Sequence, residues 1–583
     1  MSRNNESRNR RQRKRAGGDM SAAAGSTAAA GAQPVQDDVA AVSSAGRTKK
    51  AGKPAAGRAE ARVRRQGRRR RALTAGSAVL ILAAATAVVA GSVVIEPGSA
   101  GRSVEIAEAD VPAGPLTAVC PAPLQLLSGD VAGTDPQFSP VSESAKTSLS
   151  AVVLSGAGNP VPASSLLKAD GGSVLKTIAE GTPKEQPLAG VRSAGVLARE
   201  SVTEASVLSA EPSGTLQATA NAVVGFSAGD GDLAGLAAAN CQAPGNDLWL
   251  LGARTTVGAT AVLRLTNPSE SAATVDLEVY GSKGRAEGTG TRGILVPPGE
   301  TKAIVLAGLA ANEAGLAVRV RSSGGPVTAM VQQSILRGLT PGGVELIQPS
   351  APASPQQVIS GVRIQSPAAT KALTAKRGYE SAAPAVQVAV PGSTNGVVSV
   401  RILGEDGTVS LPGGGVFTVP AGSVGQLPLD SLPEGTYSVE ITADVSVVAG
   451  TVSTRGSKPD APVDLAVAPS GERLGNEHLA VLPADAESVL SFAAPAGAAE
   501  VRLTGIARDG GLAEEQVISV PEGSTVNVKA AGIGTDLAAV LISTTGEPVY
   551  GAQVVTASGN GVSVLPLPKG NIGGTTVPVS LGY

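Results

Sequence analysis

Val296-Pro297-Pro298-Gly299, Val419-Pro420-Ala421-Gly422 and Val520-Pro521-Glu522-Gly523 decide how this chain is read. A little over thirty residues before each tetrapeptide lies an apolar segment: AVLRLTNPS from Ala261, AVQVAVPGS from Ala385, SVLSFAAPAG from Ser488. A second apolar segment follows it: TVDLEVYGSKG, VVSVRILGEDG, AEVRLTGIARDG. About thirty residues after each tetrapeptide comes a third: PVTAMVQQS from Pro326, SVVAGTVST from Ser446, PVYGAQVVTAS from Pro548. Three motifs in one order at near-constant spacing mark an internal repeat. The proline ends a strand and the glycine supplies the turn into the next.

Working outward, alternation identifies the segments as strands. Ala261-Val262-Leu263-Arg264-Leu265, Ala317-Val318-Arg319-Val320-Arg321 and Tyr437-Ser438-Val439-Glu440-Ile441 put apolar and polar side chains on opposite faces of a pleated chain. The 74 Gly and 40 Pro punctuate the sequence too often for helices. Each unit holds about seven short strands in about 100 residues, the texture of an immunoglobulin-like β-sandwich. The fold expected is all-β, as tandem sandwich modules at 246–355, 356–470 and 471–583. A β-propeller is the alternative, although the repeat is about twice the length of a blade. Residues 117–245 lack the tetrapeptide and form a separate β-rich module holding both cysteines, Cys120 and Cys241. Outside the cytoplasm two lone cysteines are expected to pair. Two separate buried thiols are the alternative.

The first hundred residues are of another kind. Residues 1–71 carry 19 Lys+Arg against 5 Asp+Glu, leaving 28 basic and 43 acidic residues for the remainder. This arm lacks aromatics and is read as disordered. It abuts Ala72–Ile95, an uncharged run of 24 residues that spans roughly 36 Å as a helix, enough for a bilayer core. Positive flanks stay inside, so the expectation is a single transmembrane helix at 72–95 with a cytoplasmic N-terminus. A linker at 96–116 and an acidic extracytoplasmic region follow. A cleavable signal ending near Ala85-Thr86-Ala87 and a buried helix are the competing readings. The cluster Arg8, Arg10, Arg11, Arg13, Lys14 and Arg15 reads as an orientation signal against anionic lipid rather than a nucleic-acid site.

Val119-Cys120-Pro121, Cys241, Asp247-Leu248-Trp249-Leu250-Leu251-Gly252 and Ala261-Val262-Leu263-Arg264-Leu265-Thr266-Asn267-Pro268 together carry a resemblance. With the N-terminal anchor, they resemble an uncharacterised family of large actinobacterial envelope proteins, described only as a domain of unknown function. The resemblance extends from about residue 110 to the C-terminus. It implies a single-pass protein facing the cell wall, and no catalytic residues are assigned to the family.

Catalytic chemistry finds few residues to work with. One histidine, His478, and two cysteines do not assemble an ordinary zinc or copper site, and His478 reads as a surface or packing residue. Gly225-Phe226-Ser227-Ala228-Gly229 matches the nucleophile elbow of serine hydrolases, and Ser227, Asp430 and His478 follow its chain order. The alternating strands and helices of that fold are missing, so a hydrolase stays a remote alternative. Asp230-Gly231-Asp232, Glu405-Asp406-Gly407 and Arg508-Asp509-Gly510 read as turns rather than calcium ligands. No cofactor is expected. The sequence points to a non-catalytic scaffold or partner-binding protein, anchored in the lipid bilayer, with envelope proteins or a cell-wall polymer as partners. Cell-wall glycan binding is the alternative, with Trp249, the only tryptophan, and Tyr280 as contacts, although Trp249 reads first as a core or interface packing residue.

Overall fold

The computed structural model describes residues 108–110, 113–126, 142–170, 172–182, 190–214, 216–570 and 576–578. The basic arm at 1–71, the apolar run at 72–95 and the linker through residue 107 lie outside the described residues. Among the described residues no helix is long and apolar enough to cross a membrane.

The fold is all-β, with one short α-helix among the described residues, Pro367–Thr374, capped by Ser366. The strands fall into four successive modules, 116–240, 247–347, 354–469 and 478–566, that share one topology. In each, the first, sixth, third and fourth strands form one antiparallel sheet, and the fifth, second, seventh and eighth form another. The fourth position is split into two short strands in the second and third modules. The sixth and seventh strands of the third module fuse into a single run, Gly435–Arg455, that crosses from one sheet to the other. Glu108–Asp110 pairs with Thr576–Pro578, which brings the two ends of this unit together.

The repeated segments explain the repeated structure. The third strands Ala273–Gly281, Gly396–Gly404 and Ala499–Ala507 bury every second residue at their start. In the second module Val275, Leu277 and Val279 enter one core with Leu263 and Leu265 of the facing sheet. Burial of each such side chain contributes about 1.5–3 kcal/mol. The Val-Pro-x-Gly copies of the second, third and fourth modules form one turn, built three times. Gly299, Gly422 and Gly523 sit at φ 72°, 69° and 67°. Their N–H groups donate to the carbonyls of Asn267, Val390 and Ala494, each at 2.8 Å. The N–H of the residue after each glycine closes the turn onto the proline carbonyl three residues earlier. A positive φ at the third position of such a turn selects glycine.

The strand alternation predicts one solvated face, and the structure departs from this. Tyr437, Ser438, Val439, Glu440 and Ile441 are all buried. The cause is the packing of one module on the next. Trp249, Leu251 and Tyr280 of the second module pack on Ala389, Val424 and Val448 of the third. Ala552, Val554, Val562 and Val564 of the fourth module join the core of the third. Leu479, Val481 and Leu541 of the fourth meet Val152, Val223 and Leu236 of the first. Phe226, Ala237 and Ala239 of the first meet Met330, Val344 and Leu346 of the second. The four modules therefore close on themselves.

Candidate functional site

The eighth strand of every module, Gly235–Asn240, Thr340–Ile347, Asp464–Pro469 and Val562–Pro566, is the edge of its sheet. An edge strand presents unpaired N–H groups. In this fold the four edges converge, and one buried carboxylate gathers their donors. Asp464 Oδ2 accepts from the N–H of Leu236 at 2.8 Å and of Val562 at 3.1 Å. Its Oδ1 accepts from Val344 at 3.1 Å and Leu465 at 3.0 Å. Each donor comes from a different module, and together they fill the carboxylate's acceptor sites. Glu345, fully buried, repeats the device further along the strands. It accepts from the N–H of Leu346 at 2.9 Å and Val467 at 3.3 Å, and from Ser563 Oγ at 2.7 Å. Ser563 Oγ in turn accepts from the N–H of Ala238 at 3.0 Å. Burial pushes the Asp464 carboxyl up to about 7, against the pull of its four N–H donors. Burial also raises Glu345 well above the usual carboxylate range, and the neighbouring Asp464 charge adds to this. Such close packing needs glycine: a Cβ on Gly343, where φ is 106°, would stand 2.5 Å from the Leu465 nitrogen.

Beyond the carboxylates the strands end and the inter-module linkers begin. These linkers, at 241–246, 348–353 and 470–477, and the segment after 566, surround a cavity of about 760 Å³. Asn240 ties its floor together. Its N–H donates to Gln348 Oε1 at 3.0 Å, its Nδ2 to the Pro566 carbonyl at 2.7 Å, and its Oδ1 accepts from Asn221 at 3.1 Å. Gln348 and Ser470 are 3% and 1% exposed and line the cavity, yet Gln348 Nε2 and Ser470 Oγ have no hydrogen-bond partner. Gln242 Nε2 is in the same position. The charged wall residues are mostly paired. Glu477 meets Arg192 at 2.8 Å, Glu472 meets Lys569 at 3.0 Å and Asp247 meets Arg319.

The residues singled out from sequence land as follows. Cys120 and Cys241 form a disulfide inside the core of the first module, joining its first strand to the residue after its eighth. Trp249 and Tyr280 stack at 5.8 Å, with Arg319 over the indole at 5.2 Å. They are 4% and 3% exposed, buried by the third module, though Trp249 also borders the cavity. His478 borders it too. Its Nε2 accepts from the Gly475 N–H and its Nδ1 donates to the Pro568 carbonyl, both at 2.7 Å. Burial lowers its pKa, so the ring is neutral and holds two loops. Ser227 lies within the strand Thr219–Ala228, not at a strand–turn–helix elbow. Asp230 accepts hydrogen bonds from Ser142 and Ser144, which hold it below the usual carboxylate range. No group of three metal-binding side chains occurs among the described residues.

The residues that sequence reasoning passed over are Glu345, Asp464, Gln348 and Ser470. One signal was present. Val344-Glu345-Leu346-Ile347-Gln348-Pro349-Ser350 and Asp464-Leu465-Ala466-Val467-Ala468-Pro469-Ser470 are a second repeat, ending alike in Pro-Ser.

A family model matches residues 196–531, more than half of the 583 residues: the family of unknown function (DUF5719). The chain belongs to this family. The matched span is narrower than the resemblance, which extended from about residue 110 to the C-terminus. It contains Glu345, Gln348, Asp464 and Ser470 and ends before the last closing strand. Membership in DUF5719 brings no activity with it. No curated protein and no solved structure matches the chain.

Proposed function

We propose that this chain is a non-catalytic, single-pass membrane protein whose four extracytoplasmic modules form one composite binding surface for a partner in the cell envelope. The observation that carries the reading is the cavity at the end of the four closing strands. Every linker contributes to its wall, so no module owns it and all four are required to build it. The anchor rests on the charge step at residue 71 and the uncharged run behind it. Each module is read as an immunoglobulin-like sandwich. Support comes from the second strand lying beside the fifth and the third beside the sixth, as in that fold. Tyr437 adds to it: near the start of a sixth strand, its hydroxyl donates to the Pro433 carbonyl at 3.1 Å, in the manner of a tyrosine corner. The seventh strand differs, since it pairs with the second. The convergence of four inner strands favours a propeller-like arrangement of the modules as the second architectural reading.

Proteolysis of intact spheroplasts, followed with antibodies to both ends, tests the topology. The C-terminal epitope should be lost and the N-terminal one protected. Recovery of the intact chain in the cytosol would overturn the reading. Proximity labelling from the C-terminus should mark envelope components.

A further inference from the structure

We infer that the end of the second module away from the cavity docks on an anionic lipid bilayer, with Val257 and Leu339 entering the lipid and the cations around Tyr379 meeting the headgroups. This surface is separate from the cavity and does not rest on the reading given for it.

Two turns carry the apolar part. The strand Asp247–Ala253 leaves the cavity wall and runs out to the turn Thr256-Val257-Gly258-Ala259, closed by the Ala259 N–H on the Thr256 carbonyl at 2.8 Å. The hairpin joining Thr328–Arg337 to Thr340–Ile347 turns at Gly338-Leu339. The two turns lie side by side, since the Leu336 N–H donates to the Gly258 carbonyl at 2.7 Å. Gly258 and Gly338 sit at φ 81° and 65°, which accounts for the glycines. Their neighbours at such turns are ordinarily polar, and here they are valine and leucine. Val257 is 100% exposed and Leu339 91%, whereas no other large exposed hydrophobic among the described residues passes 60%. The tip is open: a Cβ on Gly338 would meet nothing within 4 Å. Aliphatic side chains projecting from a tip suit a bilayer interface, where buried apolar area and attraction to anionic lipid add together.

Charge selects the kind of lipid. Residues 72–583 carry 28 basic against 43 acidic residues, yet this end collects cations. Arg337, two residues before Leu339, donates from Nε to the Gly378 carbonyl at 3.1 Å and lies 4.4 Å over the Tyr379 ring. That contact fastens the Lys376-Arg377-Gly378 loop of the third module to the turn. The Tyr379 hydroxyl in turn donates to the Pro459 carbonyl, which brings Lys458 to the same surface. Lys371 stands in the last turn of the helix Pro367–Thr374. Lys371, Lys376, Arg377 and Lys458 are all exposed. The carboxylates of these segments are Glu380, which accepts from the Gly378 N–H, and Asp460, paired with Lys376. Glu313, bonded through its backbone to Thr255, gives its carboxylate to the Ser282 N–H at 2.9 Å. Five cations therefore stand against two carboxylates beside the tips. A soluble polyanion would account for the cations and leave the aliphatic tips unused. A second copy would cover the tips and set like charges against each other. An anionic bilayer uses both, and each cation near its surface strengthens binding about fivefold.

The test uses the full-length chain and one probe at the tip. Cys120 and Cys241 are bonded to each other, so Leu339→Cys supplies the sole free thiol. It carries the environment-sensitive dye nitrobenzoxadiazole, and the protein is reconstituted with vesicles of phosphatidylcholine alone or of an equal mixture with phosphatidylglycerol. Doxyl-labelled acyl chains in either lipid quench a dye that has entered the bilayer. In the phosphatidylglycerol vesicles the dye should shift to the blue and be quenched; in phosphatidylcholine it should do neither. The same dye on Val517→Cys, at a half-exposed site of the fourth module, should stay unquenched in both. Lys371→Glu combined with Arg377→Glu, both on exposed side chains, should abolish the quenching at residue 339 while leaving far-ultraviolet dichroism unchanged. A membrane anchor elsewhere in the chain is present with both lipids, so the difference between them reads this surface alone. Equal quenching in the two lipids, none in either, quenching at residue 517 to the same extent, or quenching that survives the two charge reversals overturns the inference. A blue shift that grows with protein concentration in the absence of vesicles overturns it too, and assigns the surface to a second copy.

Discussion

Asp464→Asn keeps the size of the side chain and removes one acceptor oxygen from the point where four modules meet. One amide oxygen still serves two N–H groups. The other two then face an NH₂ that has no acceptor. With Asn oriented either way, the donors lost come from two modules: Val344 and Leu465, or Leu236 and Val562. At about 1–3 kcal/mol for each buried donor left unsatisfied, the substitution should cost roughly 2–6 kcal/mol. Urea unfolding of the full chain at pH 8, where the carboxylate is ionised, followed by Trp249 emission, measures it. Asp460→Asn is the control: its carboxylate lies on the surface against Lys376, and exposed pairs contribute about 0–1 kcal/mol. The pH dependence adds a signed expectation. The Asp464 carboxyl is raised to about 7 in the folded chain from 3.8. Between those values the folded state holds a proton that the unfolded state has lost, so stability falls as pH rises through that window. The full effect is on the order of 4 kcal/mol, from about three pH units at 1.36 kcal/mol each. Glu345 contributes in the same direction. Asp464→Asn should therefore show a flatter slope than wild type, and its cost should shrink toward pH 8. A cost below about 1 kcal/mol at pH 8, or identical slopes, would refute the account of the carboxylate as the junction of the four strands.

Three further outcomes are expected. Reducing the Cys120–Cys241 bond frees a loop of 121 residues, and the unfolding midpoint should fall by the equivalent of up to about 5 kcal/mol when dithiothreitol is added. Gly422→Ala should cost about 1–2 kcal/mol in the same assay, because alanine resists the positive φ of the Val-Pro-x-Gly turn; Gly523→Ala should match it, and Gly299→Ala should cost more, because its Cβ would stand 2.7 Å from the Asp170 Cα. Tyr437→Phe deletes the hydroxyl bond to Pro433 and should lower stability by about 1 kcal/mol without changing the far-ultraviolet dichroism.

Local chemistry was open to reading because its causes lie within a few residues. Gly422 must follow Ala421 in a turn whatever the rest of the chain does, and Val275, Leu277 and Val279 must share a face because a strand has period two. The same logic reached its limit at Glu440. Its place opposite Val439 and Ile441 suggests a solvated face, yet Arg401 and Gln356 meet it under a neighbouring module. Trp249 reads from sequence as a core or interface residue, but only the structure shows that the third module covers it and Tyr280. No pattern within one module records which of its outer faces another will cover.

By itself, then, the amino-acid order determined the all-β repeat, the shared turn, and two cysteines placed to pair. Only the tertiary structure decided that Asp464, an acid at the start of a strand after a Pro-rich turn, would become the acceptor for Leu236, Val344, Leu465 and Val562. The same holds for the linkers that meet around the cavity. The reason is distance along the chain: Leu236, Val344 and Val562 stand 98 to 228 residues from Asp464, and a hydrogen bond between them exists only once four separate cores have formed and closed on one another.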